Sequence, residues 1–211
     1  FSPILSYMES AWEKANLHIQ MKPFCGDVLP HAKISEPVSR KVKDFQVVGK
    51  LNLDSAKKTV LMTMGGVPME FDFYDRLKAM KHVQFVIPGA HKEIKFEDNL
   101  RILTHHSTFY HPDLVHASDA VIAKVGYSTL AEVHNAGKRL AYVPRYHFRE
   151  TEPLVQFIKE EMSGLEIHVD ELNSGNWISR IEELLDLKTD GPKEINGADF
   201  IADEIIQLVR M

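Results

Sequence analysis

The chain has 211 residues, 44% hydrophobic and 26% charged, a composition typical of a globular protein with one large or two small domains. Its formal net charge of −5, without a stripe of lysine and arginine, argues against a nucleic-acid partner. Cys25 is the single cysteine, which excludes an internal disulfide and favours a cytoplasmic location. No apolar run approaches the roughly 18 residues of a membrane span, and no signal peptide is visible.

The N-terminal part carries two predicted elements and a linker. A helix is predicted from Ser2 to about Asn16, and residues 17–21 alternate apolar and polar side chains like a short strand. Residues 22–44 carry three prolines and little periodicity, which predicts a linker. The chain starts at Phe1 rather than at Met and inside the predicted helix, so we expect it to be a fragment of a longer protein.

From residue 45 onward, predicted strands and helices alternate. Strands are predicted at 45–48, 59–64, 83–87, 100–103, 120–123, 140–143 and 165–169. Helices are predicted at about 70–80, 112–117, 128–136, 174–187 and 197–210, with another starting at about Pro153. This alternation predicts an α/β fold, a Rossmann-like parallel sheet with helices on both faces. Ligands of such sheets bind beyond the carboxyl ends of the strands.

Two of the predicted strands end in glycine turns at that edge of the sheet. Strand 59–64 runs into Gly65 and Gly66, and strand 120–123 is followed within three residues by Gly126. The helix predicted after Gly126 would offer free backbone N–H groups and the positive end of its dipole, which suits a phosphate. Two such turns in one α/β unit can hold both phosphates of a nucleotide diphosphate.

Residues around the second turn allow two interpretations each. Thr129 and Glu132 match a capping box, with Ser128 or Thr129 as the helix cap; alternatively, the Glu132 carboxylate accepts hydrogen bonds from ribose hydroxyls. Lys124, at the end of the strand, either extends its ammonium group into solvent or faces an anion. The adjacent glycine turn favours the anion.

Other patterns exclude some functions or leave them open. Neither a GxGxxG nor a GxxxxGK[ST] motif is present, which counts against a dinucleotide oxidoreductase and a Walker-type kinase. A group of four histidines lies within twelve residues: His105, His106, His111 and His116. Their spacing matches no zinc motif, so loop histidines are favoured over a metal site, and we expect no metal and no cofactor. Phe109 and Tyr110, in the same loop, either belong to the core or flank a nucleobase.

A polar loop joins the strand 140–143 to the next helix. It carries Arg145, Arg149, Glu150 and Glu152. The two glutamates are typical of a solvated acidic helix start. Together with the arginines, at the carboxyl end of a strand, they also suit the recognition of sugar hydroxyls and phosphate.

Residues 59–187 resemble the C-terminal, nucleotide-sugar-binding half of GT-B glycosyltransferases, most closely glycosyltransferase family 28. The Gly-Gly turn that follows the first strand of this half matches Gly65 and Gly66. The family also has Asp, an apolar strand, a basic residue, Gly, a hydroxyl pair and Glu. The matching residues, in order, are Asp119, Lys124, Gly126, Ser128, Thr129 and Glu132. Pro144 matches a proline that ends the next strand.

The resemblance implies a role for each part of the site. The turn 126–129 would bind diphosphate, Glu132 the ribose, and loop 104–111 the uracil, partly through backbone groups. The implied nucleotide-binding residues are Gly65, Gly66, His105, Phe109, Lys124, Gly126, Tyr127, Ser128, Thr129 and Glu132. The implied donor-sugar residues are Arg145, Glu150 and Glu152; the two glutamates stand where the family usually has an Asp-Gln pair.

The resemblance also implies the organisation and activity of the chain. Residues 1–44 would be a remnant of an N-terminal acceptor domain and the interdomain linker, and residues 45–211 the nucleotide-sugar-binding domain. The function would be sugar transfer from a nucleotide diphosphate sugar, a UDP-sugar, to an unknown acceptor. The catalytic base is unknown, and we expect the fragment alone to be incomplete and inactive. Any peripheral membrane contact would come through the missing domain.

Three alternatives to this interpretation remain. A nucleotide-sugar hydrolase or epimerase of the same fold would bind the diphosphate at the same turn. A non-catalytic regulatory module would keep the nucleotide-sugar site without its chemistry, which the glutamates in place of the Asp-Gln pair favour. A flavodoxin-like interaction domain would bind no nucleotide.

Overall fold

The structure of the protein is a computed structural model that describes residues 2–65 and 71–210. The strands in this part of the chain are β1 (Ile19–Met21), β2 (Lys33–Ser35), β3 (Lys58–Thr63), β4 (Val83–His91), β5 (Lys95–Glu97), β6 (Leu100–Thr104), β7 (Ala120–Lys124), β8 (Arg139–Val143) and β9 (Gly164–Glu166). The helices are α1 (Ser2–Glu13), α2 (Val47–Lys50), α3 (Tyr74–Ala79), α4 (His111–His116), α5 (Tyr127–Asn135), α6 (Thr151–Glu161), α7 (Val169–Ser174), α8 (Ile181–Asp186) and α9 (Gly197–Arg210). A 3₁₀ helix at Asn176–Arg180 joins α7 to α8.

A seven-stranded sheet forms the centre of the fold, with the strand order β5-β6-β4-β3-β7-β8-β9. All neighbouring pairs are parallel except β5 and β6. The α/β fold class predicted from the sequence is confirmed. Strands β3 and β7 lie side by side at the centre, so their carboxyl ends at Thr63 and Lys124 meet at the same edge of the sheet.

The core has two layers because the central strands are covered on both faces. Val60 and Met62 of β3 pack into the layer that contains Trp177. Leu61, between them, packs into the opposite layer with Val133 of α5. Successive residues of a strand point to opposite faces, so a strand covered on both sides is apolar along its buried middle. This explains the three apolar residues 60–62 between Thr59 and Thr63 of β3.

Some predicted elements differ from the structure. The strand predicted at 45–48 is wrong: the short helix α2 forms there and buries only Val47. The helix predicted at 174–187 is a 3₁₀ helix followed by α8, and Gly175, with a left-handed φ of 71°, separates them from α7. The antiparallel strand β5 was not predicted. The start of the helix predicted at 70–80 falls outside the described residues.

The N-terminal segment carries more structure than the sequence indicated. The predicted linker 22–44 contains β2, which pairs in parallel with β1. Helix α1 buries none of its described residues. A domain boundary at residue 44 stays a prediction. Among the residues described, none of the helices combines the length and apolar character that a membrane crossing requires.

Gly137 ends α5 in a conformation that strongly disfavours a side chain. Its φ is 61°, and a Cβ atom there would overlap the backbone carbonyl of Gly191. We expect Gly137→Ala to lower the free energy of unfolding by about 2–5 kcal/mol, because left-handed strain and overpacking add. Gly191→Ala is the matched control. Its φ is 76° with nothing within 4 Å of a Cβ, so strain alone should cost about 1–2 kcal/mol. Urea unfolding measures the free energy of unfolding of both variants. Equal decreases for Gly137→Ala and Gly191→Ala would contradict the proposed overlap at Gly137.

Candidate functional site

Helix α5 begins directly at the second glycine turn. Gly126 is its N-cap residue, in an extended conformation, and no side chain caps the helix. The cap predicted at Ser128 or Thr129 is therefore wrong, as is the capping box, because both residues lie inside the helix. The first amides of α5 are the donors that an unliganded helix N-terminus leaves without intrahelical partners. They carry the positive end of its dipole.

A cavity of about 770 Å³ opens in front of this helix N-terminus. It lies beyond the carboxyl ends of β3, β7 and β8 and is bordered on one side by the loop that follows β8. Its lining residues are Met64, Gly65, Lys124, Val125, Gly126, Thr129, Val143, Pro144, Arg145, Tyr146, His147, Phe148 and Val169. Five residues predicted for the site thus line one cavity: Gly65, Lys124, Gly126, Thr129 and Arg145. Its volume is within the range of small-molecule sites.

A second, smaller cavity of about 160 Å³ shares Gly65 with the first. Two more of the predicted residues, His105 and Phe109, line it together with His111. Gly65 has a φ of 64°, and this left-handed turn at the end of β3 separates the two cavities. Gly66, the other half of the predicted turn, lies outside the described residues.

The cations of the large cavity differ in their partners. Lys124 lines the cavity and makes no ion pair with any residue in 2–65 or 71–210. The Arg145 guanidinium stacks on Phe148, 3.3 Å from its ring centre, and lies 3.6 Å from the Glu150 carboxylate. Glu152 lines a third cavity of about 560 Å³, next to the first. The three predicted donor-sugar residues are therefore neighbours but do not share one cavity.

Glu132 is buried, with only 4% of its surface exposed. Arg40 Nε donates to its Oε1 at 2.7 Å. His111 Nδ1 lies 2.6 Å from its Oε2, and because a carboxylate only accepts, the imidazole donates. The other ring nitrogen, Nε2, is 3.3 Å from the Thr63 hydroxyl. Both carboxylate oxygens therefore have cationic or N–H donors within the protein itself.

The remaining predicted residues have other surroundings. The Tyr127 hydroxyl donates to Lys22 O at 3.1 Å and accepts from Val38 N at 3.2 Å, so it binds the N-terminal segment. Burial raises the pKa of this phenol. Ser128 is exposed on the first turn of α5.

The four histidines predicted as loop residues are dispersed. His105 and His106 contact each other edge to face at 4.6 Å, whereas His116 packs against Phe45. His111 binds Glu132 instead. Within the described ranges, no three His, Cys, Asp or Glu side chains are grouped as a metal would need.

Sequence reasoning missed two members of the Glu132 cluster. Arg40 lies in the segment taken as a linker, and a contact 92 residues away in sequence leaves no local pattern. In the sequence, His111 stands out only as one of four histidines. Its position at the first residue of α4, directly after the loop predicted to bind the base, is the feature that could have indicated a role in the site.

No protein-family model matches the chain. The L-arabinokinase of Arabidopsis thaliana is 26% identical to it over 162 residues, which are 77% of this chain and 15% of that protein. Among solved structures, the spinosyn forosaminyltransferase SpnP superposes with a TM-score of 0.55 and 14% identity. The match covers 80% of this chain and 46% of SpnP. The chain thus spans about half of the transferase and a small part of the kinase.

The similarity to SpnP concerns the fold. The chain has the α/β architecture of one half of a GT-B glycosyltransferase, as the resemblance of its sequence motifs predicted. At 14% identity the match shows no substrate. The assignment to glycosyltransferase family 28 stays a prediction.

The buried carboxylate makes His111 important for stability. We expect His111→Phe to lower the free energy of unfolding by about 2–4 kcal/mol, because Glu132 Oε2 loses its donor while remaining buried. His106→Phe, on the exposed part of the loop, is the control and should change stability little. Adding Glu132→Gln to His111→Phe should recover part of the loss, since a neutral amide costs less to bury. Chemical denaturation measures the stability of all these variants. If Glu132→Gln recovered none of the stability lost in His111→Phe, the loss would come from packing rather than from the unpaired carboxylate.

Proposed function

We propose that this chain is the donor-binding half of a glycosyltransferase that moves a sugar from a nucleotide diphosphate sugar, a UDP-sugar, to an acceptor. The observation that carries the proposal is the cavity in front of α5. There, the helix N-terminus after Gly126 lies together with the Lys124 ammonium group, which pairs with no residue in the described ranges, beyond the sheet. A diphosphate is the ligand whose charge and oxygen atoms match these donors.

In this proposal each part of the nucleotide sugar has its own place. The diphosphate occupies the turn 126–129, and the base enters the small cavity beside His105 and Phe109. The ribose hydroxyls bind Glu132. The sugar extends towards Arg145 and the glutamates of the following loop.

The chemistry that these residues supply is electrostatic. When the bond between the sugar and the diphosphate breaks, negative charge develops on the departing phosphate oxygen. The first N–H groups of α5 and the ammonium group of Lys124 border the same cavity and would stabilise that charge. The group that removes the proton from the acceptor is not assigned within this chain.

A second candidate function is a nucleotide-sugar-binding module without transferase activity, within a longer enzyme. The L-arabinokinase supports it, because the similar region is 15% of a protein whose name specifies a kinase of a pentose rather than a glycosyltransferase. One ion pair also favours it: the Glu150 carboxylate lies 3.6 Å from Arg145, and this pairing makes it less available to a donor sugar. A hydrolase or epimerase of the same fold would use the same diphosphate site.

The proposed function also implies where the protein acts and what else it contacts. A nucleotide-sugar enzyme of this kind would act in the cytoplasm, where such donors are made. Any acceptor would contact a second domain, and any peripheral contact with a membrane would be made by that domain.

Binding of the nucleotide should depend on Lys124. We expect uridine diphosphate to raise the melting temperature, and Lys124→Gln to weaken its affinity about tenfold, about 1.4 kcal/mol, through loss of a charged donor. Lys188→Gln is the matched control. Lys188 follows Leu187, whose carbonyl oxygen accepts a hydrogen bond from Arg139 at the opposite end of the sheet.

Adenosine and guanosine diphosphates should shift the melting temperature less than uridine diphosphate. No shift with any of the three nucleotides would overturn the proposed function. If Lys124→Gln and Lys188→Gln weakened the affinity for uridine diphosphate equally, Lys124 would not be part of the binding site.

Residues 1–211 alone should transfer no sugar. The large cavity is an open cleft beyond a single sheet, and an acceptor needs a second wall to hold it. Incubation with several UDP-sugars and sugar or lipid acceptors, followed by product analysis, measures this. Detectable transfer would show that the acceptor site lies within this chain, and release of free sugar without an acceptor would favour the hydrolase.

A further inference from the structure

Arg40 pairs with the carboxylate of Glu132, the group that the proposed ribose site requires. Its Nε donates to Glu132 Oε1 at 2.7 Å, and the other carboxylate oxygen is held by His111. The side chain of Glu132 is 3% exposed, whereas that of Arg40 is 52% exposed. The Glu132 carboxylate is therefore almost fully buried, and Arg40 is the exposed member of the pair.

The segment around Arg40 is held by hydrogen bonds on both sides, which favours movement of the arginine side chain alone. Before it, Ser39 Oγ accepts a hydrogen bond from Asn135 Nδ2 at 2.8 Å. After it, Lys43 N donates to Asp113 Oδ1 at 2.7 Å. These two contacts hold the segment against α5 and α4. Rotation of the Arg40 side chain would uncover Glu132 without unfolding the segment.

The Tyr110 ring gives the Arg40 guanidinium a contact that does not depend on Glu132. Its carbon atom already lies 5.1 Å from the centre of the Tyr110 ring, and the Lys43 ammonium group lies 4.4 Å from the same centre. Stacking of a guanidinium on an aromatic face is favourable at exposed sites. The arginine can therefore leave the carboxylate and keep this contact.

The charge balance explains why the contact forms in the absence of a ligand. A buried carboxylate without donors is costly, and removal of one partner of a buried pair leaves that cost uncompensated. Arg40 supplies the missing donor to Oε1. Two neighbouring ribose hydroxyls could supply donors in its place, so ribose and arginine compete for the same atom.

We propose that Arg40 competes with the ribose of the bound nucleotide for Glu132, so that the N-terminal segment sets the affinity of the nucleotide site. The inference rests on the proposed function, because it takes Glu132 as the ribose acceptor. Coupling of this kind is reciprocal: nucleotide binding releases the Arg40 side chain by the same free energy with which Arg40 opposes the nucleotide.

The direction of the effect makes the proposal testable. A cation near a diphosphate normally strengthens binding, so removal of an arginine by electrostatics alone would weaken it. Competition for Glu132 predicts instead that removal of Arg40 increases the affinity for a ligand that has a ribose. The affinity for free pyrophosphate, which has no ribose, should change only as electrostatics predicts.

The experiment is calorimetric titration of the chain with uridine diphosphate and with pyrophosphate. We expect Arg40→Gln to bind uridine diphosphate about fivefold to tenfold more tightly and pyrophosphate equally or more weakly. Lys41→Gln is the matched control: it is the next residue, removes the same charge, and pairs with Asp199 rather than with Glu132. It should leave the affinity for uridine diphosphate unchanged.

A second pair of variants guards against loss of the fold. Arg40→Gln combined with Glu132→Gln removes the buried charge together with its partner, so the protein should stay folded. In this background, Arg40→Gln should no longer change the affinity for uridine diphosphate relative to Glu132→Gln alone. Persistence of the tighter binding there would overturn the proposal, because the effect would not act through Glu132.

The outcomes separate the inference from the proposed function. If the wild type binds uridine diphosphate and Arg40→Gln binds it equally or more weakly, competition is wrong and the nucleotide site stands. If neither protein nor any variant binds uridine diphosphate, the proposed function is wrong and the inference fails with it.

Discussion

The buried carboxylate of Glu132 is the constraint on which the arrangement of this site depends. It is the point where three separate parts of the chain meet: the N-terminal segment through Arg40, helix α4 through His111, and helix α5, which carries Glu132 itself. A carboxylate sequestered from water must have donors, so these parts are held in register. The helix N-terminus, the small cavity and the segment before residue 44 are thereby mechanically connected.

The same cluster orients the imidazole that lines the small cavity. His111 donates from Nδ1 to the carboxylate and contacts the Thr63 hydroxyl with Nε2. In the neutral ring this leaves Nε2 as an acceptor, since each neutral imidazole has one donor and one acceptor nitrogen. The polarity of the cavity wall is therefore determined by a residue that does not line the cavity. Glu132 would influence a bound base even if it never touched the ribose.

The sequence predicted the fold well where local pattern and burial agree. Strands β3 and β7 are apolar in their buried middle because both their faces are covered, and the glycines after them predict turns. Helix α2 was mistaken for a strand, because a four-residue segment with one buried valine has no usable period. The site was predictable as far as backbone turns define it. Arg40 was not, because its partner is distant in sequence and only tertiary packing brings the two together.

The ends of the seven-stranded sheet limit how this chain can associate with another. Strands β5 and β9, which form its two edges, are each three residues long, and the first carries charged residues at both ends. Short charged edges present few unpaired backbone groups and discourage pairing with a strand from another chain. A partner that completes the open cleft would therefore have to be recognised through side chains and loops rather than by extension of the sheet. Its specificity would lie in the same loops that surround the proposed nucleotide.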